Sequence, residues 1–195
     1  MELKDINVSD HVEILQSDLR FKGPIFTIYD DEIKFASGDI ARRQYMEHHD
    51  AVAIVPMRES ERGPEILLIR QYRHAPRRIL WEIPAGLLDI AGEDALSTAK
   101  RELLEETDCV ADRWTKLARF TASPGVSDEN CDIFLARDVY EVAHSQFERS
   151  EEEREIIKKW FLLEDVLDAI FRSDLTSPTL VTGVLAAVVA LERGA

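Results

Sequence analysis

Glu102, Glu105 and Glu106 stand in the run Arg101-Glu102-Leu103-Leu104-Glu105-Glu106. On a helix they occupy i, i+3 and i+4, so three carboxylates crowd one face. At Cβ separations of roughly 5–6 Å and an effective dielectric of about 20, each close pair repels by about 3 kcal/mol. A hard divalent cation turns that repulsion into binding. Mg²⁺ and Mn²⁺ favour oxygen ligands, and Mg²⁺ usually sits on one or two carboxylates plus substrate phosphates. The spacing therefore points to metal-dependent phosphate chemistry.

An acidic run of this kind can equally be a solvated helix face, and its surroundings decide between the two. An apolar, turn-forming lead-in, Trp81-Glu82-Ile83-Pro84-Ala85-Gly86, comes just before it. Gly92 and Glu93 sit where a helix over Glu93–Thr107 should start. Ala95, Leu96, Ala99, Leu103 and Leu104 supply an apolar stripe opposite the carboxylates.

The elements that must position this helix are legible as strands. Ala51–Pro56 is a continuous apolar run, as expected of a strand buried on both faces. Ile66–Arg70, Leu80–Ile83, Trp114–Phe120, Cys131–Ala136 and Ile156–Leu162 are further strands, the second of them stopped by Pro84. Leu163–Phe171 reads as an amphipathic helix. Ser177-Pro178 reads as the N-cap and first residue of a last helix reaching about Glu192. At the front, Val12–Leu15 is a strand. Pro24–Phe35 is expected to form a hairpin turning at Asp30-Asp31, and another extended piece ends near Met46. The expected organisation is a small antiparallel sheet over residues 1–48 and an α/β layered domain over 49–195, its mixed sheet sandwiched between helices. The front sheet should dock tightly onto the rest or onto a second subunit, and a homodimer is expected.

Composition narrows the partners. The chain has 195 residues, 45% hydrophobic and 32% charged, in keeping with a soluble globular protein needing no covalent staples. Its net charge of −14 argues against nucleic acid or an anionic membrane, because no excess of cations is available to neutralise phosphates. No stretch of 18 apolar residues and no signal peptide is evident. Cys109 and Cys131 are too few for a disulfide framework and suit a reducing compartment, so a cytoplasmic location is expected. No G-x-G-x-x-G or P-loop is present, which removes the usual dinucleotide and nucleoside triphosphate folds.

Gly86 to Cys109 resembles the Nudix box, G-x5-E-x7-R-E-U-x-E-E-x-G-U, where U is aliphatic. Gly86, Glu93, Arg101, Glu102, Leu103, Glu105 and Glu106 match in order. Two departures stand out: six residues, not five, separate Gly86 from Glu93, and Asp108-Cys109 replaces the closing Gly-U. The insertion falls in a loop, and Asp tolerates left-handed geometry better than most residues. Gln71-Tyr72-Arg73-His74, the stretch from Trp81 to Asp89, and Ser123-Pro124-Gly125-Val126-Ser127-Asp128-Glu129 are similar to the ADP-ribose pyrophosphatase branch. The resemblance spans about residues 18–190 and is strongest from 51 to 130.

The resemblance implies Mg²⁺ (or Mn²⁺) held by Glu102, Glu106 and the Ala85 carbonyl, with Glu105 assisting. Pro84 would fix the local backbone, and Gly86 would allow the turn that aims that carbonyl inward. Arg101 and Glu93 would brace the carboxylates. The general base would come from Glu151, Glu152 or Glu153, with Glu153 favoured and Glu152 second. Arg73 would contact the diphosphate, with Arg43 a weaker candidate and Arg42 its competitor. Glu129 would contact the terminal ribose side. Phe26 is a candidate to stack on adenine, with a core aromatic as the alternative. His48, His49 and His74 show no metal-ligand spacing.

The implied reaction is metal-dependent hydrolysis of a nucleoside diphosphate derivative, foremost ADP-ribose to AMP and ribose 5-phosphate. Other nucleotide sugars or dinucleotide polyphosphates are alternatives within the class. A non-catalytic ADP-ribose-binding regulatory module is the alternative outside it, and the intact glutamate set argues against that. A plain interaction domain with a solvated acidic helix is a third.

Overall fold

Three strands at the front of the chain, β1 (Val12–Lys22), β2 (Phe26–Phe35) and β3 (Ile40–His48), form an antiparallel sheet in that order. The architecture is that of a computed structural model, which describes residues 3–8, 10–142 and 155–194. Glu151, Glu152 and Glu153, the expected source of the base, lie outside the described residues. The chain divides into two units: residues 1–49 with 121–129, and residues 50–120 with 130–195.

The front sheet corrects one expectation. Asp30 and Asp31 are no turn; they lie buried in the middle of β2. Asp18, Asp30 and Gln44 stand opposite one another across the three strands. The Asp30 carboxylate accepts hydrogen bonds from Arg42 Nε at 3.0 Å, Gln44 Nε2 at 2.8 Å and Arg20 Nη2 at 3.0 Å. The Arg42 hydrogen bond, with those from Gln44 and Arg20, holds its pKa down to about 2. A pair of acids that reads as a turn signal is thus a strand pair satisfied across the sheet, Asp30 by cations and Asp31 by the Ser17 hydroxyl. In the same unit, the 121–129 segment is pinned to the end of β3. Met46 N donates to the Val126 carbonyl at 2.7 Å, and His48 N donates to Asp128 Oδ1 at 3.0 Å.

The second unit is a seven-stranded mixed sheet. Its path is β10 (Ile157–Leu162), β5 (Gly63–Arg73), β4 (Ala51–Ser60), β9 (Asn130–Glu141) and β8 (Cys109–Thr121). The short strands β6 (Arg78–Glu82) and β7 (Ala85–Leu87) pair with β5 and β4. β4 and β9 run parallel, while β4–β5, β4–β7, β5–β6 and β5–β10 are antiparallel. Period-two alternation divides the core. Val52, Ile54, Leu67, Phe134 and Ala136 face Ala99 and Leu103 of α1 (Ala95–Thr107). Ala53, Val55, Ile66, Leu68, Ile133 and Leu135 face α2 (Leu163–Phe171) and α3 (Pro178–Glu192). Strands buried on both faces explain the unbroken apolar run at β4. Among the described residues, no helix is long and apolar enough to cross a membrane.

Local signals set the helix ends with two corrections. α1 starts later than Glu93. Asp94 is its N-cap, accepting from Leu96 N at 2.9 Å and Ser97 N at 3.1 Å. At α3, Pro178 sits in the first turn as expected, but the Ser177 side chain makes no capping bond and instead meets Thr179 Oγ1. α1 closes at Asp108, whose φ of 56° and ψ of 28° are left-handed. Lys158 on β10 donates to the Thr107 carbonyl at 2.7 Å and lies 3.5 Å from Asp108 Oδ2. One cation therefore caps the helix and neutralises the residue that replaces glycine there. Lys158→Ala should lower the unfolding free energy by about 1–2 kcal/mol, as read by urea denaturation. A loss below ~0.3 kcal/mol would show that the cap contributes nothing.

Candidate functional site

Glu106 lies in the buried stripe of α1, beside Thr98, Ala99, Leu103 and Thr107, not opposite the apolar residues. Its Oε2 accepts the Ala85 N–H at 3.0 Å. That backbone group is available because of the β4–β7 register. Ile54 N donates to the Pro84 carbonyl and Leu88 N to the Asp50 carbonyl, so by alternation Ala53 with Ala85, like Ala51 with Leu87, is a pair that exchanges no ladder bonds. Ala85 therefore turns both its N–H and its C=O away from β4. Since the N–H meets Glu106, the carbonyl expected to bind metal opens on that same side.

Gly86 has a different role from the one its sequence position suggests. It is not among the glycines with positive φ. A Cβ there would fall 2.1 Å from Glu102 Cδ and within 2.5 Å of both carboxylate oxygens. Glycine is needed to let the Glu102 carboxylate lie against the β7 backbone, not to make a turn. Glu102 and Glu106 thus reach the two consecutive residues Ala85 and Gly86, one by a hydrogen bond and one by close approach.

Arg101 gathers the remaining acids. Its Nη1 donates to Glu102 Oε1 at 2.5 Å and to Glu105 Oε2 at 3.1 Å, and its Nη2 donates to Glu93 Oε2 at 3.0 Å. Glu93 also accepts from Thr98 Oγ1 at 3.0 Å. Desolvation opposes charge on Arg101, but Glu93, Glu102 and Glu105 together raise its pKa further. The Arg101 hydrogen bond holds Glu93 below the usual carboxylate range. Burial pushes Glu102 up, with Arg101 opposing. Burial pushes Glu106 up to about 8; the Ala85 N–H and Arg73 act against this, while Glu102 and Glu82 reinforce it. A buried carboxylate with acidic neighbours is a site short of positive charge. All of its donors are hard oxygens, which suits Mg²⁺ or Mn²⁺. Among the described residues, no three acidic, histidine or cysteine side chains are already gathered as a coordination shell. Arg101 instead occupies Glu102 and Glu105.

Arg73, at the end of β5, is no ordinary surface arginine. Its Nε donates to Glu82 Oε2 at 3.0 Å, its Nη2 pairs with that oxygen at 2.7 Å, and Gln71 Nε2 donates to it at 2.9 Å. Glu82 and Gln71 are buried polar residues that spacing alone does not mark out. The only hint is that i and i+2 on one strand share a face.

Phe26, Arg43 and Glu129 belong to the first unit. Phe26, half-buried against Phe21, lines a cavity of about 430 Å³ with Lys22, Glu47, His48 and Asp128. Arg43 lines a recess of about 450 Å³ with Tyr45, Pro124, Val126 and Ser127. Its competitor Arg42 is tied to Asp18 and Asp30. Glu129 lies 3.9 Å from His48 Nδ1, and its N–H donates to Ser127 Oγ at 3.1 Å.

The model of the NUDIX domain matches residues 47–179. The chain is 36% identical over 174 residues to an ADP-ribose pyrophosphatase of Mycobacterium tuberculosis, covering 89% of this chain and 82% of that protein. It is 34% identical over 119 residues to an ADP-ribose pyrophosphatase of Bacillus subtilis, covering 61% of this chain and 62% of that one. A methanol dehydrogenase activator of Bacillus methanolicus is 31% identical over 123 residues, 64% of its length. The match thus spans less than two thirds of either Bacillus protein. A solved ADP compounds hydrolase superposes with a TM-score of 0.77 at 21% identity, over 98% of both chains, and so shares the fold.

The raised Glu106 pKa fixes the sign of a pH effect. In metal-free protein, the stability it contributes is present below its unfolded value near 4.5 and is lost as pH rises toward about 8. Glu106→Gln keeps the acceptor for Ala85 without the charge. In EDTA its stability relative to wild type should rise by more than ~1 kcal/mol between pH 5 and pH 8, measured by denaturant melts. A pH-independent difference would mean that the carboxylate is not desolvated.

Proposed function

The chain belongs to the NUDIX family, and from that premise we propose that it hydrolyses ADP-ribose to AMP and ribose 5-phosphate. The observation that carries the reading is the buried Glu106 carboxylate, bonded to Ala85 beside a Glu102 lodged against Gly86. The family is generally dependent on divalent metal, and relatives in it carry the name ADP-ribose pyrophosphatase.

Glu102, Glu106 and the Ala85 carbonyl, with Glu105 assisting, would hold Mg²⁺ or Mn²⁺. When bound there, the cation supplies charge neutralisation of the diphosphate and a lowered pKa for the attacking water. Arg101 braces Glu102 and Glu105 from the side and keeps Glu93 charged. Arg73 binds the diphosphate through guanidinium N–H groups that match phosphate oxygens. Glu153, with Glu152 second, takes the proton from water. Phe26 and Arg43 line recesses suited to the adenine and phosphate ends of the substrate, and Glu129 is assigned to the terminal ribose. Their participation fits a homodimer whose front sheet, residues 1–48, contacts substrate. A regulatory module is disfavoured, because it would bury Glu106 beside other acids with no use for the charge.

A panel of nucleoside diphosphate derivatives, assayed with Mg²⁺ or Mn²⁺ for released phosphomonoester, tests the reading. ADP-ribose should give the highest kcat/KM. No turnover of any member would overturn the proposed activity. Glu106→Gln should abolish metal-dependent turnover while the protein stays folded; unchanged rates would remove the helix from the mechanism. Arg73→Ala should raise KM at least ~10-fold, about 1.4 kcal/mol of lost binding, and an unchanged KM would cancel its assignment. Glu153→Ala should cut kcat far more than Glu151→Ala does, and the reverse order would move the base.

A further inference from the structure

We propose that Glu82 is a positioning residue that aims Arg73 at the diphosphate. The inference rests on the reading of Arg73 given above and adds the group through which that arginine is held.

The register brings the three side chains together. β5 and β6 pair antiparallel with Ile69 opposite Glu82 and Gln71 opposite Leu80. Ile69, Gln71 and Arg73 alternate onto one face of β5, and Glu82 projects on the same face from β6. A single carboxylate oxygen, Glu82 Oε2, accepts hydrogen bonds from Gln71 Nε2 and Arg73 Nε and lies 2.7 Å from Arg73 Nη2 in an ion pair. Two hydrogen bonds and an ion pair converging on one oxygen leave Glu82 little rotational freedom.

The pair is asymmetric. The Glu82 side chain is 9% exposed and that of Arg73 is 42% exposed. An ion pair that served folding alone would have no need to bury the anion and leave the cation accessible. Of the five N–H bonds of the guanidinium, Nε–H donates to Glu82, and Nη2 is drawn against the same oxygen by the ion pair. The N–H bonds on the Nη1 side remain, and that edge can grip phosphate oxygens in pairs. Glu82 thus fixes which edge of Arg73 is presented. Both residues are close enough to Glu106 to act on its charge, Arg73 favourably and Glu82 unfavourably. Holding a long, flexible arginine in its working rotamer before substrate arrives reduces the ordering that binding must impose.

The test is the steady-state kinetics of Glu82→Gln with ADP-ribose and Mg²⁺, alone and combined with Arg73→Ala. Glu82→Gln should raise KM about fivefold or more and change kcat by less than about threefold. In the Arg73→Ala background it should change KM by less than about twofold, because the residue it aims is gone. A KM unchanged in wild type, a loss confined to kcat, or multiplicative effects in the double variant would overturn the proposal. Thermal melts identify variants that fail to fold. In that event Glu82→Asp, which keeps the charge but withdraws the oxygens by one methylene, is measured against the same criteria. An inactive wild-type enzyme would instead sink the proposed activity, so the two failures are distinguishable.

Discussion

The hydrogen bond from the Ala85 amide to the buried Glu106 carboxylate is the contact on which the site depends. It requires α1 to lie across the end of β7 closely enough for a helix side chain to reach a strand backbone. It also requires a β4–β7 register whose alternation turns the Ala85 backbone groups away from β4. Ala99 and Leu103, packed against Val52, Ile54, Leu67 and Phe134, hold the helix at that depth. Gly86 removes the last obstacle, since any side chain there would collide with Glu102. Core packing therefore sets the position of the carboxylates, and the carboxylates in turn dictate a glycine in the sheet.

Electrostatics act within that geometry. Three glutamates and Glu93 would repel one another, and Arg101 bonds to three of them at once. Glu106 is left out of that arrangement and carries the largest upward pKa shift, to about 8. Burial is the leading cause, with Glu102 and Glu82 reinforcing it. Ionising such a group at neutral pH calls for a cation from outside the chain. On the proposed reading, bound ions would reverse the local field at these carboxylates and let a protein of net charge −14 take an anionic substrate.

Sequence periodicity carried most of the fold. β4 and β9 were legible because strands buried on both faces read as unbroken apolar runs, and α2 runs over the whole expected span from Leu163 to Phe171. What escaped were features made by register. Asp30 and Asp31 carry turn propensity, yet inside the sheet Arg20 and Arg42 from the two neighbouring strands satisfy Asp30 and the Ser17 hydroxyl satisfies Asp31. Glu82 and Gln71 carry no spacing signal, and only the β5–β6 pairing shows that they converge on Arg73. The box carboxylates were visible because a helix fixes i, i+3 and i+4 locally. The reason for Gly86 was not, because it lies in a neighbour sixteen residues on, not in the φ angle of the glycine itself.

The departures from the family pattern test how much of that pattern is chemistry and how much is chain geometry. The additional residue before Glu93 falls between β7 and the Asp94 cap, where the chain must only span a gap, and Glu93 still reaches Arg101. Asp108 takes the left-handed conformation that the closing glycine would otherwise provide. Here the compensation is explicit: Lys158, from the far edge strand, binds the last helical turn and faces the Asp108 carboxylate. A substitution that carries a backbone cost at one position is offset by a side chain brought near by the sheet, about fifty residues later in the chain. The carboxylates permit no such substitution at a distance, because their effect depends on which oxygens face the Ala85 backbone. The glutamate spacing is therefore the part of the pattern that chemistry constrains, and the glycine at its end is the part that a cation elsewhere can replace.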